Sequence, residues 1–252
     1  MLREDIVFGP IKSRRLGRSL GINLLPEKGK ICNFDCIYCE CGWNSEGLSD
    51  TRIPNAAAVR SALEDKLCQC MLEGVQIDSI TFSGDGEPTL NPDFARIIDD
   101  TIILRNTFYP SAKISVLSNA TRLHKEDVFQ ALRKVDQPIL KLDAPDNTLA
   151  AIINRCGKDY DVNRVIEGME RFQGNFILQT MFLKCKDFDS LSPAVLEGWK
   201  AWVRLLRPRQ IMAYTISRPT PLAGIEAYEE SAIRDALQDL LDEGFSIQIK
   251  GK

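Results

Sequence analysis

Cys32, Cys36 and Cys39 stand at C-x3-C-x2-C, with Tyr38 directly before the third thiol. This spacing gathers three thiols within eight residues of chain. It suits a loop wrapped around a compact, electron-rich metal centre. Thiolates are soft ligands and prefer iron–sulfur clusters, zinc or Cu(I). A four-iron cube held by four thiolates only carries electrons, whereas three thiolates leave one iron open, much as a catalytic zinc keeps a position for a reacting ligand. Cys41 follows two residues later, so a structural four-thiolate zinc site is the competing reading. Zinc knots generally use two C-x2-C pairs set well apart, and no second pair follows here.

Further polar residues recur where apolar runs end. Ser83-Gly84-Asp85-Gly86-Glu87-Pro88-Thr89 follows the run Ile77–Phe82. Its glycines permit close backbone approach and unusual dihedrals, and Glu87 adds an acceptor. Read alone, the stretch is also a plain glycine-rich turn. Ser118-Asn119-Ala120-Thr121 carries hydroxyl and amide groups suited to ribose hydroxyls or, equally, to a capped turn. Lys141 and Asp143 are two apart and therefore share one face of a strand. Facing inward they form a charged pair near cofactor or substrate; facing outward, a surface salt bridge. Gln179 alternates with apolar residues and is a weaker cofactor contact. Lys12, Arg14, Arg15 and Arg18 form a basic arm, and Arg218 follows a late strand. Arg14, Arg15 and Arg218 are candidates to clamp an anionic substrate; the alternative for the arm is a solvated charge run.

These residues need a scaffold, and the pattern supplies one. Strands are predicted over 21–25, 77–82, 113–117, 138–143, 176–183, 210–214 and 245–249, with helices over 55–72, 92–105, 125–134, 193–206 and 228–241 and a mixed segment over 147–172. Val59, Leu63, Leu67 and Cys70 give the first helix one apolar face. Strand and helix alternate about six times, which implies right-handed βαβ units and a parallel sheet. In such folds ligands meet the loops at the C-terminal strand ends, where the polar stretches above fall. Periodicity fits a partial (β/α)6 barrel and a doubly wound sheet equally well. No linker or repeat divides the chain, which reads as a single domain over 1–252 with an N-terminal arm over 1–18.

The 252 residues are 44% hydrophobic and 27% charged, an ordinary globular balance. No apolar run approaches the ~20 residues of a membrane span. The N-terminal stretch has no apolar signal core, which predicts a cytoplasmic protein. Eight cysteines then point to metal chemistry in a reducing compartment rather than to disulfides. A net charge of −3 gives no broad nucleic-acid footprint, and a single histidine, His124, excludes a His-rich metal site.

The C-x3-C-x2-C loop with its aromatic residue resembles the signature of the radical S-adenosylmethionine (SAM) superfamily. The Gly84-Asp85-Gly86-Glu87-Pro88 stretch is similar to that family's GGEP motif, with Asp85 in place of the first of its two glycines. The resemblance implies an α/β fold of partial (β/α)6 TIM-like barrel type. It implies a [4Fe–4S] cluster on Cys32, Cys36 and Cys39, with SAM chelating the fourth iron. It also implies that one electron from the reduced cluster would cleave SAM to methionine and a 5′-deoxyadenosyl radical, which would take hydrogen from substrate. It places Tyr38 near the adenine, Gly84, Asp85, Gly86 and Glu87 at the methionine end, and Ser118, Asn119 and Gln179 among the remaining SAM contacts. An electron donor such as flavodoxin or ferredoxin is implied as a partner. The runs "FGP-x-x-SRRLG-x-SLGI" and "SRP-x-P" resemble the branch related to the wyosine tRNA-base synthases, so a small molecule or a tRNA base is the expected substrate. The archaeal members carry further cysteines upstream of the loop; here none precedes Cys32, which argues against a second cluster. An iron–sulfur electron-transfer protein, a glycyl-radical-enzyme activase and a zinc-stabilised module remain as alternatives.

Overall fold

A computed structural model describes residues 5–13, 15–47 and 50–252. The chain forms two compact units: Met1–Cys32, Asn44–Ser118 and Lys125–Pro138 in one, Asn33–Trp43, Asn119–His124 and Ile139–Lys252 in the other.

In the first unit, β1 (Val7–Ser13) pairs antiparallel with β2 (Gly17–Ile22), and β2, β3 (Ser79–Phe82) and β4 (Lys113–Ser118) run parallel. β1 occupies much of the stretch expected to be an arm. Its Gly9-Pro10 masks the strand pattern, and proline is tolerated at an edge. Phe8 pairs with Gly21, where a Cβ would lie 2.2 Å from the Phe8 ring, so glycine makes room for the aromatic.

α1 (Ala56–Leu72) starts at Asn55, whose side chain accepts from the Ala58 amide at 2.9 Å. It buries Val59, Leu63, Leu67 and Cys70, the face expected from their spacing. α2 (Phe94–Phe108) and α3 (Glu126–Lys134) complete the alternation. His124 is exposed just ahead of α3. A buried hydroxyl ladder crosses the parallel strands: Ser19 to Thr81 at 2.7 Å, Ser79 to Ser115 at 2.9 Å, and Ser115 to Gln137 at 2.6 Å.

The second unit holds most of β5 (Gln137–Lys141), then α4 (Asn147–Ile153), α5 (Val162–Glu170) and β6 (Ile177–Met181). A small antiparallel sheet follows from β7 (Leu183–Cys185) and β8 (Phe188–Asp189). After α6 (Pro193–Leu206) and β9 (Gln210–Tyr214), β10 (Glu226–Ala227) joins that small sheet, and α7 (Glu230–Ala236), α8 (Gln238–Asp242) and β11 (Ile247–Lys250) end the chain. β5, β6, β9 and β11 are neighbours in that order, all parallel. Leu140, Leu178 and Ile211 are fully buried on one face, and Trp199 of α6 lies on that side, donating to the Leu142 carbonyl at 3.2 Å. The opposite face carries the chemistry. Among the described residues no helix is long and apolar enough to cross a membrane.

Candidate active site

In the first unit the strand ends build a clamp. Asn23, fully buried after β2, donates to the Asp85 carboxylate at 3.3 Å and accepts from the Asp85 amide at 3.1 Å. The Asp85 carbonyl accepts from the Ile31 amide at 3.1 Å, and the Glu87 amide donates to the Ile31 carbonyl at 3.1 Å. Gly86 (φ 138°) lies opposite Ile31, where a Cβ would come within 1.9 Å of the Ile31 carbonyl. At Gly84 a Cβ would meet the Asn23 amide oxygen at 2.0 Å. The close backbone approach expected to serve a ligand therefore serves Ile31, the residue before Cys32. Glu87 is 2% exposed, and its Oε1 accepts from the Thr89 amide (3.1 Å), the Thr89 hydroxyl (2.6 Å) and the Ser118 hydroxyl (2.8 Å). The Cys32 carbonyl accepts from Asn44 at 3.0 Å.

In the second unit the rest of the cysteine loop docks on the end of α4. The Asp35 amide donates to the Asn154 carbonyl at 2.9 Å and the Ile37 amide to the Ile153 carbonyl at 3.0 Å. Phe34 meets Tyr160 edge to face at 5.4 Å, and Ile37 and Tyr38 are buried in an apolar cluster with Ile153, Met181 and Leu183. The Asn154 amide nitrogen is shared by the Asp143 carboxylate (2.7 Å), the Tyr38 hydroxyl (3.3 Å) and Cys36 Sγ (3.4 Å). Tyr38 donates its hydroxyl to the same carboxylate, whose other oxygen accepts from the Met181 amide at 2.9 Å.

Lys141 and Asp143 do share one face: Lys141 Nζ lies 3.6 Å from Asp143 Oδ1 and donates to the Tyr214 hydroxyl at 3.0 Å. The ammonium stands 5.2 Å from the Tyr38 ring centroid and 5.5 Å from that of Tyr214. Burial works to lower its pKa, but Asp143, then Tyr214 and Cys36, more than reverse this, and the ammonium stays charged above its ordinary range. Burial, then the Asp143 charge, push the Cys36 thiol up to about 11 against the opposing pull of Lys141 and Asn154. Burial and then Asp143 also raise Tyr38.

The donor chemistry fits a cluster. Cys32, Cys36 and Cys39 are partly accessible thiols outside any disulfide. Asn154 supplies a side-chain donor to Cys36, the kind of outer contact that tunes a metal-bound sulfur. Among the described residues no three His, Cys, Asp or Glu side chains form a group fit for a single metal ion. The ligand assignment therefore rests on thiol chemistry and sequence spacing.

The other expected residues divide. Asn119 donates to Asn33 at 2.7 Å, and Asn33 donates to Thr121 at 2.6 Å, a closed amide–hydroxyl group beside Ala120 at φ 64°. Gln179 is 4% exposed and pairs in register with Lys141. Arg218, expected to clamp a substrate anion, instead pairs with Glu40 of the chain at 2.5 Å, next to Cys39. The basic arm goes elsewhere. Arg15 lies in the β1–β2 turn, and Arg18, paired with Lys12 near the start of β2, engages Asp78 and Gln76. Arg18 is five residues before Asn23 along β2, which places it ~16 Å from the clamp, at the opposite strand end. Arg14 lies outside the described residues. Asn23 and Asn154 carry no motif, and only their positions after β2 and at the end of α4 mark them; Asn33 lies inside the cysteine loop, where attention falls on the thiols around it.

Residues 27–184 match the family model "Radical SAM superfamily". A UPF0026 protein of Methanocaldococcus jannaschii is 33% identical over 71% of this chain, of which it covers 54% of the relative's length. A UPF0026 protein of Helicobacter pylori is 30% identical over 94% of this chain and 75% of its own length. The chain thus spans about half of the archaeal relative. Among solved structures, a radical SAM methyltransferase from Sphaerobacter thermophilus has a TM-score of 0.66 at 17% identity, over 92% of this chain and 65% of its own. A TYW1 structure with a lysine–pyruvate adduct bound has a TM-score of 0.62 at 14% identity, over 90% and 74%. At such identities these likenesses show the fold, the α/β partial TIM-like barrel class expected from the resemblance. The chain belongs to the radical SAM superfamily, whose enzymes use a [4Fe–4S] cluster and S-adenosylmethionine, and within it to the UPF0026 proteins.

Proposed function

We propose that this chain is a radical SAM enzyme that abstracts hydrogen from an anionic substrate held at Lys141. Cys32, Cys36 and Cys39 would hold the cluster. When bound, cluster and SAM supply one-electron cleavage of the sulfonium and removal of a hydrogen from substrate, while the protein positions the partners and excludes water. The chain's own residues do the rest. The clamp on Ile31 fixes the approach to Cys32. Asn154 ties Cys36 to Asp143. The Asp85 and Glu87 side chains hold the loop in shape, and the Ser83–Gly86 backbone with Ser118 would meet SAM. Tyr38 orients Asp143 through its hydroxyl.

The observation that carries the substrate reading is the coordination of Lys141. Its ammonium has three N–H donors but among the described residues makes one hydrogen bond, to Tyr214, beside a carboxylate at 3.6 Å. A largely buried ammonium is costly unless its donors are used. A carboxylate or phosphate oxygen of a substrate completes that set. The wyosine-related motif makes a tRNA base one such substrate, with a small anionic metabolite as the other. Flavodoxin or ferredoxin is the proposed electron donor. The test is anaerobic incubation of the reduced, reconstituted protein with SAM and deuterated cell-extract fractions. Deuterium should enter 5′-deoxyadenosine only with fractions retained on an anion-exchange resin. Incorporation confined to unretained fractions overturns the anionic substrate.

A further inference from the structure

A second polar group lies on the same sheet face as Lys141. In register across β5, β6, β9 and β11, Lys141 pairs with Gln179, Gln179 with Met212, and Met212 with Gln248. Paired residues in a parallel sheet share a face, so ammonium, amide, thioether and amide form one row. The next row on that face holds Met181, Tyr214 and Lys250, and Tyr214 is the residue that accepts from Lys141. The face is therefore the substrate side, opposite the one covered by α6.

Gln248 Oε1 is buried and has no hydrogen-bond partner among the described residues. A buried acceptor left unpaired costs about 1–3 kcal/mol, and buried side-chain polar atoms are nearly always satisfied. Gln179, one of the two other polar members of the row, is 4% exposed. Met212 between them is 3% exposed and offers an apolar floor. Neighbouring strands lie ~4.8 Å apart, so the Lys141 and Gln248 backbones are separated by ~14 Å. Side chains stand roughly perpendicular to a sheet, so groups rising from the two ends of that span are too far apart for a bare phosphate or a two-carbon acid to bridge, and a nucleotide-sized molecule is the class that matches it.

We propose that Gln248, with Gln179, determines substrate specificity by reading an N–H donor edge on the molecule whose anionic group Lys141 holds. The proposal rests on Lys141 as the anion anchor. The class of ligand it names is a nucleotide-sized anion with an amide or imide edge, in which the N–H meets Gln248 Oε1 and the anion meets Lys141. An acceptor waiting for a donor discriminates strongly, because a ligand without that donor leaves it buried and unpaired.

The test is isothermal titration of the anaerobically reconstituted full chain, without SAM or reductant. The probes are uridine 5′-monophosphate, which has a phosphate and an imide N–H, and ribose 5-phosphate, which lacks the base. Wild type should prefer the nucleotide by about tenfold or more, in the range of a good side-chain-to-base contact. Gln248→Leu should bring the two affinities within about twofold. Gln248→Glu, which keeps an acceptor oxygen there, should retain the preference. Lys141→Met should weaken both ligands. Equal affinities in wild type, or a preference that survives Gln248→Leu, overturn the proposal. A misfolded variant loses both ligands alike and is recognised by the loss of its cooperative thermal transition, in which case Gln248→Met replaces it in the same comparison. Because no SAM is present, failure of SAM cleavage would sink the functional reading without altering this result.

Discussion

Lys141 and Asp143 face each other with Nζ 3.6 Å from Oδ1, and Asp143 is also the acceptor for Asn154, Tyr38 and the Met181 amide. One carboxylate thus fixes the loop that carries Cys36 and holds the cation of the substrate face. Removing either end should be felt at the other.

Asn154→Ala removes a donor to both Cys36 Sγ and Asp143. Hydrogen bonds to cluster sulfurs raise the reduction potential, so the variant's cluster should reduce at a more negative potential, and metal affinity or activity should drop by about 10–100-fold. Redox titration followed by EPR measures this. An unchanged potential would show that the Asn154 contact does not reach the cluster.

Lys141→Met strips the cation from a buried pair. Truncating one partner of such a pair costs about 2–5 kcal/mol, so turnover of an anionic substrate should fall by about thirtyfold or more. Lys141→Arg keeps the charge and should recover part of it. Steady-state kinetics with the substrate-bearing fraction separates the two. Equal activity in Met and Arg variants would show that charge at this position is irrelevant.

Gly86→Ala should be far more damaging than Gly157→Ala. A Cβ at Gly86 meets backbone at 1.9 Å, while at Gly157 nothing lies within 4 Å. We expect the first to cost at least ~4 kcal/mol and the second less than ~1 kcal/mol. Urea unfolding of both variants checks the clamp on Ile31. A tolerated Gly86→Ala would mean the loop has another resting place.

Asp136 gives the first unit a dependence on pH. Burial opposes its ionisation, but the Ile114 amide at 2.9 Å and Arg105 at 2.8 Å prevail and hold its pKa below the ordinary value. A carboxyl with a depressed folded pKa binds fewer protons folded than unfolded. Its contribution is therefore present above the unfolded pKa of ~3.9 and is lost as pH falls through the lower folded value. Denaturant midpoints at pH 6 and pH 3 should differ more in wild type than in Asp136→Asn. An identical pH response in the two proteins would remove Asp136 from the account.

Much of this was legible in the chain. The alternation of apolar runs and amphipathic helices placed β3, β4, β5, β6 and β9 within a few residues, because strands buried on both faces read as near-continuous apolar runs. β1 escaped because Gly9 and Pro10 interrupt it, and its pairing with β2 turned the basic arm to the far strand end. The last helix, expected unbroken, divides at Leu237 into α7 and α8. In the site, Lys141 and Asp143 were found by their spacing of two. Asn154 was not, because its link to Cys36 spans 118 positions and an asparagine ending a helix is ordinary. The direction of Tyr38 was equally hidden, since only the fold sets Asp143 against its hydroxyl.

The central claim is a three-thiolate cluster that cleaves SAM, and one measurement reaches it directly. Iron content and 5′-deoxyadenosine formation are determined together on anaerobically reconstituted, dithionite-reduced protein. Wild type should carry about four irons per chain and release 5′-deoxyadenosine from SAM. Cys32→Ala, Cys36→Ala and Cys39→Ala should each lose both, while Cys41→Ala keeps both. Equal loss in Cys41→Ala, stoichiometric zinc in place of iron, or an iron-loaded wild type that leaves SAM intact would contradict it.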